Sequence, residues 1–443
     1  ERSERADGAA GGASAADLPA GVFGAAHMTE RPMLIRNARV LTLAEGSWPR
    51  RGRALGEPGV LDRTDVLAHG GVVVAVGPGL ERIEHAVVVE AAGRVLMPGF
   101  VDCHTHACWA GDRLDEWEMK RRGATYLQIL ESGGGIMSTV RAVRGATREQ
   151  LAQSLLARLN AMLTEGTTAV EVKSGYGLST ADELKMLGAI ADAASRWPGR
   201  VRMTACIGHA KDPEVDAEAF VDRTIHETLP AVHAAFPDCT IDAYCEKGAW
   251  SLDETVRLFE AAADLGHPLR VHADQFNELG MVDAAIGLGA VSADHLEATS
   301  PDALVRLAES ETMGVMLPCS GFHVDGRYAD GRGFVDAGGA VAIATNCNPG
   351  SAPCHSMPMA IALAVRHLGL TAAEAIAACT VNAAALLGLH DAGTIEPGKR
   401  ADLVLLRHTD ERQLGYEFGG RHADLVVCAG RVVFDAGSPG IGG

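Results

Sequence analysis

The 443-residue sequence predicts an α/β protein: a (β/α)8 TIM barrel joined to a small composite β-sandwich domain built from both chain ends. In the middle of the chain, short apolar segments alternate with amphipathic helical segments, which is typical of a parallel sheet with crossover helices. At both ends, short apolar segments are separated by Gly and Pro, which is typical of an antiparallel sheet. A barrel takes about 250 residues, so the length leaves room for a second domain.

Four segments follow from this pattern. Residues 1–27 are rich in Ala and Gly and contain no apolar run of signal-peptide length, so we expect a disordered extension or a tag there. Residues 28–95 and 391–443 are predicted to form the N-terminal and C-terminal parts of the β-domain. The barrel is predicted over residues 96–390.

Eight strand candidates lie in the barrel segment, and their number favours a closed barrel over an open sheet. Helical periodicity is clear between them, for example in SLDETVRLFEAAADLG and SPDALVRLAES. The eight candidates are VLMPGFVDCHTH, TTAVEVKSG, VRMTACIGH, CTIDAYCE, PLRVHAD, AVSADH, GVMLP and AVAIAT.

Composition and charge exclude several classes of protein. Apolar residues make up 47% and charged residues 22%, so the bulk of the chain is not disordered. The formal net charge of −18 would repel a phosphate backbone, so we expect no nucleic-acid partner, and an anionic substrate would need a local cationic pocket. No run of about 18 apolar residues predicts a membrane span. The ten cysteines are scattered, which favours free thiols in the cytoplasm.

Five histidines lie at the predicted carboxyl ends of barrel strands, where barrel enzymes place their active sites. His104 and His106 are two residues apart, so both imidazoles of an extended strand end can reach one ion. His209, His272 and His295 end three further strands. A single histidine is more often a hydrogen-bonded core or surface residue, but five at one face favour a mononuclear site for zinc or iron.

Longer motifs are similar to those of one family. PGFVDCHTH resembles the first-strand motif of the amidohydrolase superfamily, and the other motifs resemble the imidazolonepropionase family from about residue 33 to the C-terminal sheet. This resemblance implies barrel closure and hydrolysis of 4-imidazolone-5-propanoate to N-formimidoyl-L-glutamate in histidine degradation. The other motifs are GDRLDEWEMKRRGATYLQILESGGGIMSTVRA, EVKSGYGLST, RVHADQFNELG, SADHLE and NPGSAPCHSMPMAIALA.

The resemblance implies metal ligands at His104, His106 and His272, with a fourth on the eighth strand. At that position the family pattern is T-D-x-N-P-G, whereas this chain has Asn346 in place of the aspartate. Asparagine is a weaker, neutral ligand and cannot act as a base. Asn346 could coordinate the metal through its carbonyl oxygen or hold the attacking water by a hydrogen bond. The catalytic base could then be another group, or activity could be reduced. We expect one Zn2+ or Fe2+/Fe3+ per subunit.

Three residues are predicted to be catalytic: His295, Gln275 and Asn346. His295 is the candidate for stabilising the oxyanion or taking the proton of water, since Asn346 cannot. Gln275 lies where deaminase relatives have a proton-shuttling glutamate, and an amide can orient a ring carbonyl or N–H instead. The alternative among enzymes is a related cyclic-amide hydrolase, for example of a hydantoin propionate, and a deaminase is less favoured because of Gln275. The alternative from a different class is a catalytically silenced metal-binding barrel, which Asn346 alone supports.

The resemblance also implies a set of substrate contacts. Arg113 would bind the propionate carboxylate with its planar guanidinium, although an Arg between two aspartates is otherwise typical of a surface ion pair. For Ser351 the alternative is a cap of the helix that begins near Met357. The remaining predicted contacts are Tyr176, His209, Gln275, Asn348 and Gly350.

Other chemically reactive residues are predicted to be structural. Lys173 lies on the second barrel strand, not the fourth, so we do not expect it to bridge two metals as a carboxylated lysine. The thiols of Cys103, Cys319, Cys347 and Cys354 have no paired base at short spacing. The resemblance further suggests a homodimer.

Overall fold

The computed structural model describes residues 31–81, 83–124, 128 and 133–437. The predicted extension at residues 1–27 lies outside these described residues. The described strands form two sheets of eight strands each, one made from both chain ends and one made from the middle of the chain. The predicted combination of a barrel and a composite end domain is thereby confirmed.

The strands follow one another in three groups along the chain. The first group is β1 (Met33–Leu41), β2 (Val60–His69), β3 (Val72–Gly77), β4 (Val87–Glu90) and β5 (Val95–Pro98). The second is β6 (Phe100–Asp102), β7 (Thr167–Lys173), β8 (Arg200–Gly208), β9 (Thr240–Cys245), β10 (Leu269–Ala273), β11 (Ser292–His295), β12 (Met313–Met316) and β13 (Val341–Ile343). The third is β14 (Leu403–Leu406), β15 (Ala423–Cys428) and β16 (Arg431–Asp435).

The end sheet has the strand order β16-β15-β14-β5-β1-β2-β3, with β4 paired to β1. The two chain ends meet where β14 pairs antiparallel with β5, in the register Leu403↔Pro98 and Leu405↔Leu96. Alternate residues of these strands are apolar and buried, and they form a core separate from that of the barrel. The end domain therefore forms only when the first and last parts of the chain come together.

The barrel sheet has the order β13-β12-β11-β10-β9-β8-β7-β6, and every neighbouring pair is parallel. Each of the eight predicted candidates overlaps one of these strands, and β8 and β12 begin one residue before their candidates. The chain passes from the end sheet to the barrel at Gly99, close to the predicted boundary after residue 95. A side chain at Gly99 would lie 2.1 Å from Thr168 Oγ1, so glycine is required where the chain crosses β7.

Helices connect the barrel strands and pack around them. The helix Leu252–Asp264 begins at Ser251, whose hydroxyl accepts the N–H of Glu254 while the Glu254 carboxylate accepts the N–H of Ser251. The remaining α-helices are Leu114–Arg121, Ile136–Gly145, Arg148–Thr164, Thr180–Arg196, Ala217–Arg223, Leu229–Ala235, Met281–Gly287, Pro301–Glu309, Pro318–Val324, Gly331–Asp336, Met357–His367, Ala372–Ala378, Val381–Leu386 and Gln413–Tyr416. None of the helices in the described residues is long and apolar enough to cross a membrane.

The first and last barrel strands approach each other beyond their regular parts. Thr105 and Cys347 form an isolated parallel bridge, and the N–H of Asn346 donates to the carbonyl of His104 at 3.1 Å. The N–H and hydroxyl of Thr345 both donate to the Asp102 carboxylate, at 3.1 and 2.5 Å. These contacts form a seam between β6 and β13 and the residues that follow them. The seam nearly closes the barrel, and it brings residues from opposite ends of the barrel segment to one place.

Leu403→Ala tests the core of the end domain. Leu403 is 1% exposed, so we expect the truncation to cost about 2–5 kcal/mol in free energy of unfolding, measured by urea denaturation. Leu61→Ala is the control, because Leu61 is 43% exposed in the same sheet and should lose less than about 0.5 kcal/mol. Equal losses in the two variants would contradict the separate core.

Candidate active site

The five histidines predicted from the strand ends lie together at the carboxyl end of the barrel. The ring centroids of His104 and His272 are 4.6 Å apart, those of His106 and His209 are 4.7 Å apart, and those of His272 and His295 are 5.5 Å apart. Four of the rings are buried and that of His209 is partly buried. The structure therefore brings together side chains from β6, β8, β10 and β11, or the loops that follow them.

Three of these histidines have the arrangement of a metal site. One ligand atom each of His104, His106 and His272 lies within 4.8 Å of the other two. His104 Nδ1 lies 2.5 Å from an oxygen of Asp294, and His272 Nδ1 lies 3.0 Å from an oxygen of Asp242. A carboxylate accepts from an N–H, so both rings carry their proton on Nδ1 and direct the lone pair of Nε2 into the site.

The polar atoms of the site fit a bound cation. His104 Nε2 and His106 Nδ1 are buried without a hydrogen-bond partner in the described part of the chain. His106 Nε2 faces His272 Nε2 at 3.0 Å. Burial and the neighbouring cationic groups lower the pKa of His104 and His106 well below the usual value, so both rings are neutral and can act as ligands. Three imidazoles are a donor set suited to zinc or iron.

Asn346 lies beside this histidine cluster on the other side of the seam. Its backbone has φ +54°, a left-handed conformation that asparagine adopts more readily than most residues. Its side-chain oxygen is buried and has no partner among the described residues. An amide oxygen in this position can complete the donor set, whereas it cannot accept a proton at neutral pH.

Two buried cations compensate the two carboxylates that orient the histidines. Lys173 Nζ donates to Asp242 at 2.6 Å and to Glu171 at 2.7 Å. Burial alone would raise the pKa of Asp242, but the hydrogen bond from His272 and the charge of Lys173 hold it far below the usual value. Lys173 is thus paired on β7 and belongs to the support of the site.

Arg270 has the corresponding role for Asp294. Its guanidinium donates to the Asp294 carboxylate at 2.5 Å, to the carbonyl of Cys103 at 2.7 Å and to the hydroxyl of Ser292 at 3.0 Å. Sequence reasoning missed both Asp242 and Asp294. Each is an acidic residue within a predicted barrel strand, and this was the feature of the sequence that could have identified it.

Two connected cavities open above the histidines. The inner cavity has a volume of about 60 Å³, and the outer cavity, of about 540 Å³, shares several residues with its wall. The inner cavity has room for about two water molecules. Its lining is His106, Tyr176, His209, Tyr244, His272, Gln275, His295, Asn346, Asn348 and Ser351. Tyr244 is the lining residue that the sequence analysis did not predict.

His295 is held by a carboxylate of its own. Its Nδ1 lies 3.0 and 3.1 Å from the two oxygens of Glu297, so it donates its proton there and leaves Nε2 as an acceptor. His295 has φ +85° and Leu296 has φ +72°, a strained turn that sends the chain back toward the site. A neutral imidazole oriented in this way can take a proton from water and return it.

Gln275 lines both cavities and is half-buried. The turn that follows it is fixed by Glu246, which accepts the N–H groups of Phe276 and Asn277 at 2.8 and 3.2 Å. Glu246 comes directly after β9, at a strand end that sequence reasoning did not select. The support from a neighbouring strand fixes the direction in which Gln275 leaves the barrel.

Glu183 holds the loop that carries Tyr176. Its carboxylate accepts the N–H groups of Gly175, Gly177 and Leu178 at 2.9, 2.7 and 3.0 Å. Tyr176 is buried, which raises the pKa of its hydroxyl, so the phenol stays protonated and can donate a hydrogen bond.

His209 faces the same cavities. It donates its Nδ1 proton to the carbonyl of Gly175 at 2.9 Å. Burial lowers the pKa of His209 to about 4, so this ring is neutral at pH 7.

Arg113 lines the outer cavity. Its guanidinium pairs with Glu116 at 2.5 Å and donates to the hydroxyl of Thr139 at 3.3 Å. Its ion-pair partner is thus Glu116 and not the neighbouring aspartates. The side chain is 12% exposed. Arg113 is a cationic group at the position where the sequence predicts a carboxylate-binding group.

Asn348, Gly350 and Ser351 lie on the same wall but hydrogen-bond to one another. The side-chain oxygen of Asn348 accepts the N–H groups of Gly350 and Ser351 at 2.8 and 2.7 Å, and its amide donates to the Ser351 hydroxyl at 2.8 Å. The helix Met357–His367 is capped by Ser356, so Ser351 is not its cap. The role of these three residues toward a substrate stays a prediction.

A family profile and individual related proteins both place this chain among the amidohydrolases. A sequence profile of the amidohydrolase family matches residues 95–433. The imidazolonepropionase of Herpetosiphon aurantiacus is 44% identical over 398 residues, which cover 87% of this chain and 93% of that protein. The imidazolonepropionase of Geobacillus kaustophilus is 38% identical over 419 residues, which cover 92% of this chain and 99% of that protein.

Solved structures share the fold at low sequence identity. A 5-methylcytosine deaminase from Klebsiella pneumoniae superposes with a TM-score of 0.71 at 17% identity, covering 92% of this chain and 99% of that one. An adenosine deaminase from Xanthomonas campestris with bound zinc has a TM-score of 0.68 at 19% identity, covering 91% of this chain and 93% of that one. These similarities support the architecture alone.

Glu183→Ala tests the support of the Tyr176 loop. The truncation leaves three backbone N–H groups without their acceptor, and each unpaired buried group costs about 1–3 kcal/mol. We expect faster amide hydrogen exchange over residues 174–178, measured by mass spectrometry. The control is Glu227→Ala, because Glu227 is exposed and its carboxylate accepts a hydrogen bond from the Thr180 hydroxyl. Unchanged exchange in Glu183→Ala would show that the loop does not depend on this carboxylate.

Proposed function

We propose that this chain, which belongs to the imidazolonepropionase family of the amidohydrolases, hydrolyses 4-imidazolone-5-propanoate to N-formimidoyl-L-glutamate in histidine degradation. One observation carries the proposal. A three-histidine site lies at the inner cavity, and a cationic Arg113 lines the connected outer cavity. This arrangement suits a small ring with a reacting carbonyl at one end and a carboxylate at the other.

The family and the histidine cluster support a metal cofactor. His104, His106 and His272 would hold it, with the side-chain oxygen of Asn346 as the fourth protein ligand, and we propose one Zn2+ or Fe2+/Fe3+ ion per subunit. When bound, such an ion acts as a Lewis acid that polarises a carbonyl and lowers the pKa of water. The buried carboxylates Asp242 and Asp294 keep the ligand rings in the required tautomer.

His295 is the proton-transfer group in this proposal. As water adds to the ring carbonyl carbon, Nε2 of His295 takes one of its protons, and Glu297 stabilises the imidazolium that forms. The bond between the carbonyl carbon and the ring nitrogen then breaks, and the leaving nitrogen takes the proton back from His295. The products are a carboxylate and the formimidoyl amine, and no other reactant is needed.

The remaining residues of the cavities bind and orient the substrate. Gln275 carries an amide that can hydrogen-bond to the ring carbonyl or N–H. Tyr176 offers a protonated hydroxyl and His209 a neutral ring nitrogen. None of the three can supply the carboxylate base that loss of ammonia needs, so the set favours ring opening over deamination.

Arg113 is proposed to bind the propionate carboxylate. The chain carries a formal net charge of −18, so the overall field repels an anionic substrate. A guanidinium in a partly enclosed cavity reverses that field locally and can form two parallel hydrogen bonds with a carboxylate. The pair with Glu116 fixes its orientation before substrate binds. Asn348, Gly350 and Ser351 would complete this end of the cavity.

We further propose a homodimer in the cytoplasm. The location is supported by the ten cysteines, all of which are free thiols. That nucleic acid is not a partner stays a prediction from the net charge. Neither a different cyclic amide substrate nor a silenced barrel is favoured by the comparisons.

Turnover is the direct test of this function. Metal-loaded enzyme should remove freshly generated imidazolone propionate, followed by its ultraviolet absorbance, and should leave hydantoin propionate unchanged. His272→Ala should lose most activity together with bound metal, because one of three imidazole ligands is removed. His85→Asn is the control, since the His85 side chain is 80% exposed. Turnover of the hydantoin alone, or ammonia release from guanine or cytosine, would contradict the proposed reaction.

Arg113→Ala tests the carboxylate contact. A charge-assisted hydrogen-bonded pair contributes about 1.5–3 kcal/mol, so we expect KM to rise about 10- to 100-fold with kcat little changed. Arg122→Ala is the matched control, because the Arg122 side chain is 75% exposed and pairs with Glu118. An unchanged KM in Arg113→Ala would show that another group binds the propionate.

Asn346→Asp tests whether the amide limits the enzyme. We expect the wild type to be active and the variant to bind metal more tightly, because a carboxylate is a stronger ligand than an amide. Both proteins are compared at equal metal content, with kcat and metal dissociation measured on the same preparations. A wild type without turnover that gains activity in Asn346→Asp would support the silenced barrel instead.

A further inference from the structure

A second group of ligating side chains lies in the end domain, outside the cavities of the candidate active site. One ligand atom each of His408, Glu417 and His422 lies within 4.8 Å of the other two. We infer that these three residues form a second metal site, and that it takes Zn2+ or a similar divalent transition-metal ion. The inference is independent of the proposed function.

The antiparallel pairing of β14 and β15 positions the two histidines. Leu406 pairs with Ala423 at the end of this ladder, and the N–H of Arg407 donates to the carbonyl of His422 at 2.9 Å. The chain beyond the ladder places the rings of His408 and His422 with their centroids 5.2 Å apart. The site therefore lies just beyond the hydrogen-bonded end of this strand pair, after an irregularity in its register between Leu405 and Leu406.

Glu417 comes from the connection between the same two strands. The short helix Gln413–Tyr416 ends directly before it and turns the chain back toward the histidines. Its carboxylate reaches His408 Nε2 at 3.4 Å, while the other oxygen pairs with Arg407. One carboxylate oxygen is thus held by Arg407, and the other is directed at the histidine pair.

The histidine nitrogens lack the hydrogen bonds that burial requires. His408 Nε2 and His422 Nδ1 are buried without a hydrogen-bond partner in the part of the chain that the structure describes, and His422 is 1% exposed. An unpaired buried nitrogen of this kind costs about 1–3 kcal/mol, so two in contact are unusual unless a ligand satisfies both. A metal ion coordinated by both nitrogens satisfies them.

The donor set of this second site agrees with coordination of a cation. Two neutral imidazoles and one carboxylate suit zinc, and they leave one tetrahedral position for water. Calcium and magnesium are disfavoured, because they prefer oxygen ligands.

The place of the site indicates a structural role. Arg366, in the helix Met357–His367, donates to the carbonyls of Gly415 and Tyr416 at 2.6 and 2.7 Å. A metal ion bound by the connection between β14 and β15 would thus hold this connection against the helix Met357–His367. This helix follows Asn348 and Ser351 along the chain. Zinc at the second site should stabilise the end domain without taking part in turnover.

Zinc counting by mass spectrometry of the full chain is the decisive experiment. The protein is stripped with a chelator, equilibrated with buffered Zn2+, and dialysed before metal and protein are quantified. We expect two zinc ions per chain in the wild type, one in His422→Asn and one in His272→Ala. Turnover should persist in His422→Asn and be lost in His272→Ala, so failure of the second site is distinguishable from failure of the proposed function.

Glu417→Gln is the second variant, in case His422→Asn fails to fold by circular dichroism. It keeps the shape of the side chain and removes its charge, and we expect the affinity for the second zinc to fall about tenfold or more. His85→Asn is the control and should keep two zinc ions. One zinc ion in the wild type that is kept in His422→Asn, or two tightly held in both His422→Asn and Glu417→Gln, would overturn the inference. One zinc ion that is kept in His272→Ala and lost in His422→Asn would support the second site and contradict zinc at the first.

Discussion

Charged groups buried behind the histidine cluster hold its rings in position, and the parallel strands of the barrel supply all of these groups. A ligating imidazole must carry its proton on the nitrogen that faces away from the metal, and a buried carboxylate behind each of two rings ensures this. Each carboxylate in turn needs a cation, because an uncompensated buried charge costs several kcal/mol. Asp242 is compensated by Lys173, and Asp294 is compensated by Arg270.

This requirement explains why the site needs a nearly closed barrel. The histidines, carboxylates and cations come from different strands, and only the parallel order of those strands brings their carboxyl ends into one ring. The seam between β6 and β13 completes the ring by placing Asn346 against His104. The composite end sheet then joins both ends of the chain beside β6, where the first ligands are found.

Selectivity and reactivity are separated in space within the two cavities. The inner cavity is small and lined by histidines, so it admits a reacting carbonyl and water but little else. The outer cavity carries the cationic group that an acidic protein needs in order to attract an anion. Loops fixed by buried carboxylates, Glu183 and Glu246, determine the shape of its walls. Each wall is therefore rigid without any contribution from the substrate.

The amino-acid sequence was sufficient to predict the α/β architecture and most residues of the candidate site. Hydrophobic periodicity identified all eight barrel strands, because apolar strands and amphipathic helices have distinct repeats. Histidines at strand ends, such as the pair at His104 and His106, were visible because a parallel barrel gathers those ends at one face. The presence of Asn346 where the family pattern has an aspartate was likewise visible in the sequence.

Which side chains support the ligands, and how they are paired, is visible only in the folded protein. Asp242 and Asp294 look in the sequence like isolated acids within barrel strands, and their partners lie on or after other strands that are distant along the chain. The ion pair of Arg113 with Glu116 and the internal hydrogen bonds of Asn348 depend on side-chain geometry of the same kind. Periodicity indicates which face of an element is buried, whereas the pairing of polar groups depends on differences of a few tenths of an ångström in the distances between elements.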